Sequence, residues 1–516
     1  MSKRLLLCAA LASFGSLSLA EPPATPSPEQ TMRAAQASFP EYLELLSLPN
    51  DAVVPADVQR NAQWLEAAFR KRGFTTRQLP NAGKPLVYAE LASQPAQART
   101  VLFYMHFDGQ PVLPEQWAQK SPWQPVVKQR NAAGKWDVID TARLQAAPLD
   151  PELRVFGRSS SDDKGPIMMF LVAFDALKAA GMEPRVRVKV LLDSEEEKGS
   201  PTIGQVVRQN KDLLKADVLL IHDGPMHASN RSTLIFGNRG NTIVSLTVYG
   251  PKSPLHSGHY GNFVPNPAQR LASLLASMKD DDGRVTIAGY YERIKLSESE
   301  KRILATVPDD ESAIRTRVGV ARTEKVGSNY QEALQYPSLN IRGMQAAAIG
   351  DKGANIVPRE AVAELDLRTT PETPPDYLVK LIEDHVRSRG YYVTQQAPTD
   401  AERAQHDKIA SLVVGRGSSA AYTPMDSPQG AWAYGALKQA SGEEPVRIRM
   451  MGGSVPTDKL VDELGVPFLI VPLVNSDNNQ HSYDENLRIG HYVNGVKTLL
   501  TLLRTPRTAT TSRRFT

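Results

Sequence analysis

Thr100-Val-Leu-Phe-Tyr-Met-His106-Phe-Asp108-Gly-Gln-Pro111 passes from an unbroken apolar run into a histidine and an aspartate two positions apart. A run of that kind, without polar alternation, predicts a strand buried on both faces, as in a parallel sheet. Side chains two apart in extended chain point to the same side, so one can ligate a metal while the other orients the imidazole. Alone, the H-x-D triplet fits an ordinary histidine at a strand end equally well. Its surroundings decide.

Apolar runs recur at 86–91, 186–192 and 218–221, with helical segments such as 166–180 between them. A helical face of Val58, Trp64, Leu65, Ala68 and Phe69 precedes them. Strands alternating with helices predict an α/β layer with a mixed, largely parallel sheet flanked by helices. Near Gly237 the texture changes, because 242–248 alternates as a strand with one exposed face does. A helix at 267–278, a strand at 361–367, a helix at 377–389 and a strand at 391–395 then predict an inserted α+β domain. The strand 468–473 and the helix 490–503 return to the first. The expected organisation is a leader at 1–20, one domain from 21–236 and 399–505, an insert at 237–398 and a polar tail at 506–516.

The length of 516 residues is too great for one core of usual size, in keeping with two domains. A formal charge of +4 and the lack of any Lys/Arg block exclude a nucleic-acid binder. Lys3 and Arg4 precede an apolar run at 5–19 that ends in Ser18-Leu19-Ala20, the pattern of a secretory leader. That predicts export to the periplasm or beyond, with no membrane segment left after cleavage. The single cysteine, Cys8, lies inside the leader, so a mature chain has no thiolate to offer a metal. Any metal must be held by His and carboxylates.

Four more stretches carry such groups. Gly157-Arg-Ser-Ser-Ser-Asp162-Asp163-Lys164-Gly165-Pro166 opens a helix. Asp193-Ser-Glu195-Glu196-Glu197-Lys198-Gly199-Ser200 follows the 186–192 strand, where packed carboxylates repel unless cations neutralise them. Neighbouring glutamates diverge, so one can bind metal while the other shuttles a proton. His222-Asp223-Gly224 follows 218–221, and Gln480-His481-Ser482, with Tyr483-Asp-Glu485, follows the last strand. Strand ends are where α/β sheets bind ligands. Two His and three carboxylates without thiolate fit a Zn, Co or Mn pair sharing a bridging carboxylate.

Over nearly all of the chain past the leader, H-F-D-G-Q-P at His106, S-D-D-K-G-P at Ser161, E-E-K-G-S at Glu196, the Asp223 strand end and Q-H-S at Gln480 resemble the carnosinase, glutamate carboxypeptidase and aminoacylase metallopeptidases, peptidase family M-twenty. The likeness is greatest to the carnosinase-like dipeptidases. The resemblance implies two divalent ions, with His106 and Asp223 on one, Glu197 and His481 on the other, and Asp162 bridging. Asp108 would support His106, and Glu196 would be the general base. The insert would be a ferredoxin-like lid and dimerisation domain of a homodimer. Its His256, in Leu255-His-Ser-Gly258, would reach the partner subunit's site and stabilise the oxyanion. Asn355, Arg368, Gly453 and Ser454 would contact substrate, Arg368 by gripping its carboxylate. One departure stands out: the family's Gly after Arg158 is here Ser159.

The implied reaction is hydrolysis of a dipeptide or a short peptide's C-terminal bond. An N-acyl-amino-acid deacylase would use the same site, and a secreted binding protein would have lost a ligand or the base; all are present. A serine acyl-transfer enzyme is the chemical rival, since Ser161-Asp-Asp-Lys164 fits S-x-x-K and Ser476-Asp-Asn478 fits S-D-N, although K-T-G is missing.

Overall fold

The computed structural model describes residues 24–506, apart from 94 and 454–456. The expected leader at 1–20 and the tail beyond 506 lie outside the described residues, as does Ser454. Among the described residues no helix is long and apolar enough to cross a membrane.

Alternation of partners, rather than of polarity, explains the opening stretch. In the strand Thr100–His106, Val101, Phe103 and Met105 join one apolar core while Leu102 and Tyr104 join another. Both faces are therefore covered, and the strand is central. The sheet around it has eight strands, in the order Phe74–Leu79, Leu86–Leu91, Arg187–Asp193, Thr100–His106, Val218–Ile221, Phe468–Ile470, Thr233–Ile235 and Val446–Ile448. The four from Arg187–Asp193 to Phe468–Ile470 run parallel, and the antiparallel pairings lie outside them. The expected mixed, largely parallel layer is what forms.

Helix Lys164–Ala179 is apolar almost all round, and it is buried between the sheet and the helices Pro28–Leu46 and Ile489–Arg504. Pro28–Leu46 begins in a capping box, with Ser27 and Gln30 exchanging side-chain and backbone hydrogen bonds.

The insert has its own core, formed by helices Pro267–Ala276 and Pro375–Ser388 against a five-stranded sheet. Its strand order is Ser338–Gln345, Glu360–Thr369, Gly240–Tyr249, Ile409–Val414, Tyr392–Thr394. Ile409–Val414 pairs in register with Val244 to Tyr249. The insert's sheet thus runs beyond the expected boundary at 398, because this short apolar run pairs with Gly240–Tyr249 rather than starting the return. The chain enters and leaves the insert side by side: Gly237 pairs with Tyr422, and Asn241 bridges to Ser418. A side chain at Gly240 would lie 2.3 Å from the Ser418 carbonyl oxygen, so only glycine fits that crossing.

One small sheet had no counterpart in the sequence reading. Asn486–Arg488, Arg154–Phe156, Val126–Arg130 and Trp136–Ile139 pair antiparallel, joining the segment before Asp162 to the segment after His481.

Candidate metal centre

Three adjacent parallel strands deliver acidic or imidazole groups from their C-terminal ends. His106 closes Thr100–His106, the acidic turn follows Arg187–Asp193, and Asp223 follows Val218–Ile221. The turn before helix Lys164–Ala179 adds Asp162, and the turn after Phe468–Ile470 adds His481.

Asp162 stands at the middle. Its Oδ1 lies 2.9 Å from His106 Nε2, and its Oδ2 lies 3.0 Å from His481 Nε2. His106 Nε2 is also 3.9 Å from Asp223 Oδ1, and His481 Nε2 is 3.1 Å from Glu197 Oε2. Two groups result, His106 with Glu196 and Asp223, and Asp162 with Glu197 and His481; within each, one ligand atom per residue lies within 4.8 Å of the others. Gln110 Nε2 donates to Glu197 Oε2 at 2.7 Å and fixes that carboxylate. In the first group His106 and Asp223 are buried and Glu196 half-buried, whereas the second opens to solvent at His481, whose side chain is 52% exposed.

Asp108 does more than flank His106. Its Oδ1 is 3.4 Å from His106 Nδ1, and its two oxygens accept the backbone N–H groups of Glu196 at 3.0 Å and Glu197 at 3.1 Å. The acidic turn is braced from its other side by Asp193, which accepts from Ser194 N, Glu195 N, Tyr104 Oη and Ser200 Oγ. Glu195 points away, taking hydrogen bonds from Asn81 and Lys84. Three successive glutamates therefore have three directions, and only two face the centre.

Burial pushes the carboxyls of Asp108 and Asp223 up to about 6, and that of Glu196 well above the usual range. Burial would raise Asp162 too, but the two histidines hold it well below the usual carboxylate range. Asp162 and Glu197 in turn push His481 up to about 10. Among the described residues no Lys or Arg pairs with Asp108, Asp162, Glu197 or Asp223; their ion-pair partners are the histidines. Packed carboxylates with two imidazoles and no organic cation are a donor set for divalent metal.

His256, Asn355, Arg368 and Gly453 belong to neither of these groups. His256 sits exposed on the two-residue strand Leu255–His256, where its Nδ1 accepts from Gly258 N at 3.1 Å. Asn355 is exposed, and its carbonyl accepts from Ser257 N. Arg368 Nε is 3.5 Å from Asp366 on its own strand, and Gly453 is exposed. The rival serine reading fails on geometry. Ser161 Oγ donates to Glu485, and Lys164 Nζ donates to the carbonyls of Leu45 and Leu48, so neither addresses the other. A cavity of about 500 Å³ opens in the insert beside Tyr291, Val320 and Leu339, and no residue of the two metal-capable groups lines it.

Sequence reasoning passed over the role of Glu485. Its only signal was its place four residues after His481, where an acid reads as ordinary surface.

Comparison with known proteins matches residues 102–505 to "Peptidase family M20/M25/M40". The chain is 25% identical over 489 residues to the Cys-Gly metallodipeptidase DUG1 of Candida albicans, covering 89% of this chain and 93% of that protein. It is 26% identical to the Beta-Ala-His dipeptidase of Mus musculus, covering 86% and 84%. Among solved structures, a metallo-carboxypeptidase from Sulfolobus solfataricus superposes with a TM-score of 0.68 at 25% identity, covering 91% of this chain and 98% of that one. These comparisons correct the expectation of export. The relatives that match along most of the chain include the Cys-Gly metallodipeptidases of yeasts, and against them export lacks support.

Proposed function

The chain belongs to peptidase family M20/M25/M40, and we propose that it is a two-metal dipeptidase with zinc as its metal. The observation that carries this is Asp162, whose two oxygens face two histidines from opposite sides. In this reading His106 and Asp223 would hold one ion and Glu197 and His481 the other, with Asp162 shared between them. Divalent ions held there supply Lewis acidity toward a peptide carbonyl and acidify water.

The chain's own groups do the rest. Glu196 takes a proton from the attacking water and hands it to the leaving amine, as a carboxylate standing beside the metal-capable residues can. Asp108 fixes the turn that separates Glu196 from Glu197. The insert, from 237 to about 414, acts as lid and as dimer contact. Because His256 lies exposed on it, the reading has His256 serve the site of a second copy and bind the developing oxyanion there. Arg368, Asn355, Gly453 and Ser454 receive the substrate's carboxylate end. Named activities of the relatives, toward Cys-Gly and Beta-Ala-His, support a dipeptide substrate.

The test is metal analysis of the purified chain with a panel of dipeptides, longer peptides and N-acetyl amino acids. Two zinc ions per chain and chelator-sensitive cleavage confined to dipeptides are expected. Chelator-resistant turnover, or cleavage of acyl-amino acids alone, would refute it. Mixing and reassembling Glu196→Gln with His256→Ala should restore roughly a quarter of the activity if sites are shared across a two-fold dimer.

A further inference from the structure

The turn that carries Asp162 has no glycine between Gly157 and Gly165. Ser159 nevertheless adopts φ +61°, a left-handed conformation that costs any residue with a Cβ. Something must hold it there.

Glu485, fully buried, does so from beneath. Its Oε2 accepts from Ser159 N at 2.8 Å and from Arg158 Nη1 at 2.8 Å. Its Oε1 accepts from Ser161 N, Ser161 Oγ and Asp162 N, each at 2.9 Å. Five donors saturate one carboxylate. Arg158 continues through Nη2 to the Ser482 carbonyl at 3.1 Å, next to His481. On the far side, Asn50 Nδ2 donates to Ser159 Oγ at 3.0 Å and to the Phe107 carbonyl at 2.7 Å, which ties the turn to the His106 segment. Glu485 also stands on the turn of His481 itself, where His481 and Asp484 have φ +62° and +55°.

Resting on the metal-centre reading above, we infer that Glu485 is a positioning residue that holds Asp162 opposite His481 and so sets the spacing of the two metal sites. Without its charge, the N–H groups of Ser159, Ser161 and Asp162 and the guanidinium of Arg158 lose their common acceptor in a buried place. The turn then relaxes first at Ser159, whose backbone is least at ease, and Asp162 leaves one histidine.

Glu485→Gln keeps the side chain's shape but swaps an acceptor oxygen for an NH₂ donor. Zinc affinity of the folded protein, measured by chelator competition, should fall about 10–100-fold, as for other groups that orient metal ligands. The more weakly held ion should be lost first, and kcat should fall while KM stays within about twofold. Adding Ser159→Gly to that variant should recover part of the affinity, since glycine needs no support at positive φ. A merely structural role would lower the melting temperature without that rescue. If Glu485→Gln does not fold, Ser161→Ala removes one of the five donors and should weaken zinc binding by about two- to tenfold. Wild-type zinc affinity and kcat in whichever variant folds would overturn the inference. A wild-type chain that binds no zinc would overturn the metal-centre reading instead.

Discussion

His106 and His256 are served very differently by the fold. The first is fully buried, with Asp108 on one nitrogen and Asp162 and Asp223 facing the other. The second is exposed on a two-residue strand, its Nδ1 turned to the backbone of its own turn. The same contrast separates buried Asp162 from exposed Asn355. Groups that hold metal must keep their geometry to a fraction of an ångström, so they are braced by further hydrogen bonds. Groups that greet a substrate, or a second subunit, can sit on a surface that moves.

Breaking the braced half should cost most. Glu196→Gln is expected to lower kcat by about 10²–10⁴-fold with metal content intact, checked by turnover beside elemental analysis. Normal turnover would remove Glu196 from the role of base. His256→Ala comes next, with about 10²–10³-fold in kcat and no change in metal, as for loss of one oxyanion donor. If metal is lost as well, the proposed division between the halves is wrong. Arg368→Met should act mainly on KM, raising it about 10–100-fold for free dipeptides and less for C-terminal amides. An equal penalty on both would show that Arg368 does not read the carboxylate.

The smallest effect concerns stability. In metal-stripped protein, burial pushes Asp108 and Asp223 up to about 6 from the ordinary value of 3.8, so between these limits the folded state holds more protons than the unfolded. Stability of the stripped chain should therefore fall as pH rises from about 4 to 6. His481 adds nothing in that window, because its raised value loses stability only at higher pH. Melting curves with and without zinc should diverge across this range, and parallel curves would show that the carboxylates are not destabilising when ionised.

Much of the braced half was legible in sequence. Apolar strands such as 100–105 and 218–221 end directly in His106 and near Asp223, so a local pattern reports both the burial and the ligand. The role of Asp108 was half seen: its contact to His106 was expected, but its grip on the Glu196–Glu197 backbone depends on two distant segments meeting. The small sheet joining 126–156 to 486–488 and the lid strand Ile409–Val414 were missed for the same reason. Short antiparallel pairings between remote segments carry little periodicity of their own. Glu485 was invisible because collecting backbone N–H groups has no composition signal.

The side-by-side passage of the chain at Gly237–Tyr422 and Asn241–Ser418 bears on how the molecule is made. The metal-bearing layer is interrupted by the insert, and if the insert were unfolded the two halves would have to find each other across a long, slack loop. An insert that folds on its own core, with its ends already adjacent, shortens that loop to a few residues before the second half arrives. Strand Phe468–Ile470, which takes its place beside Val218–Ile221, and the His481 turn that follows it can then dock onto a sheet already waiting. By closing on itself, the insert brings together the two stretches of chain that supply the centre's ligands.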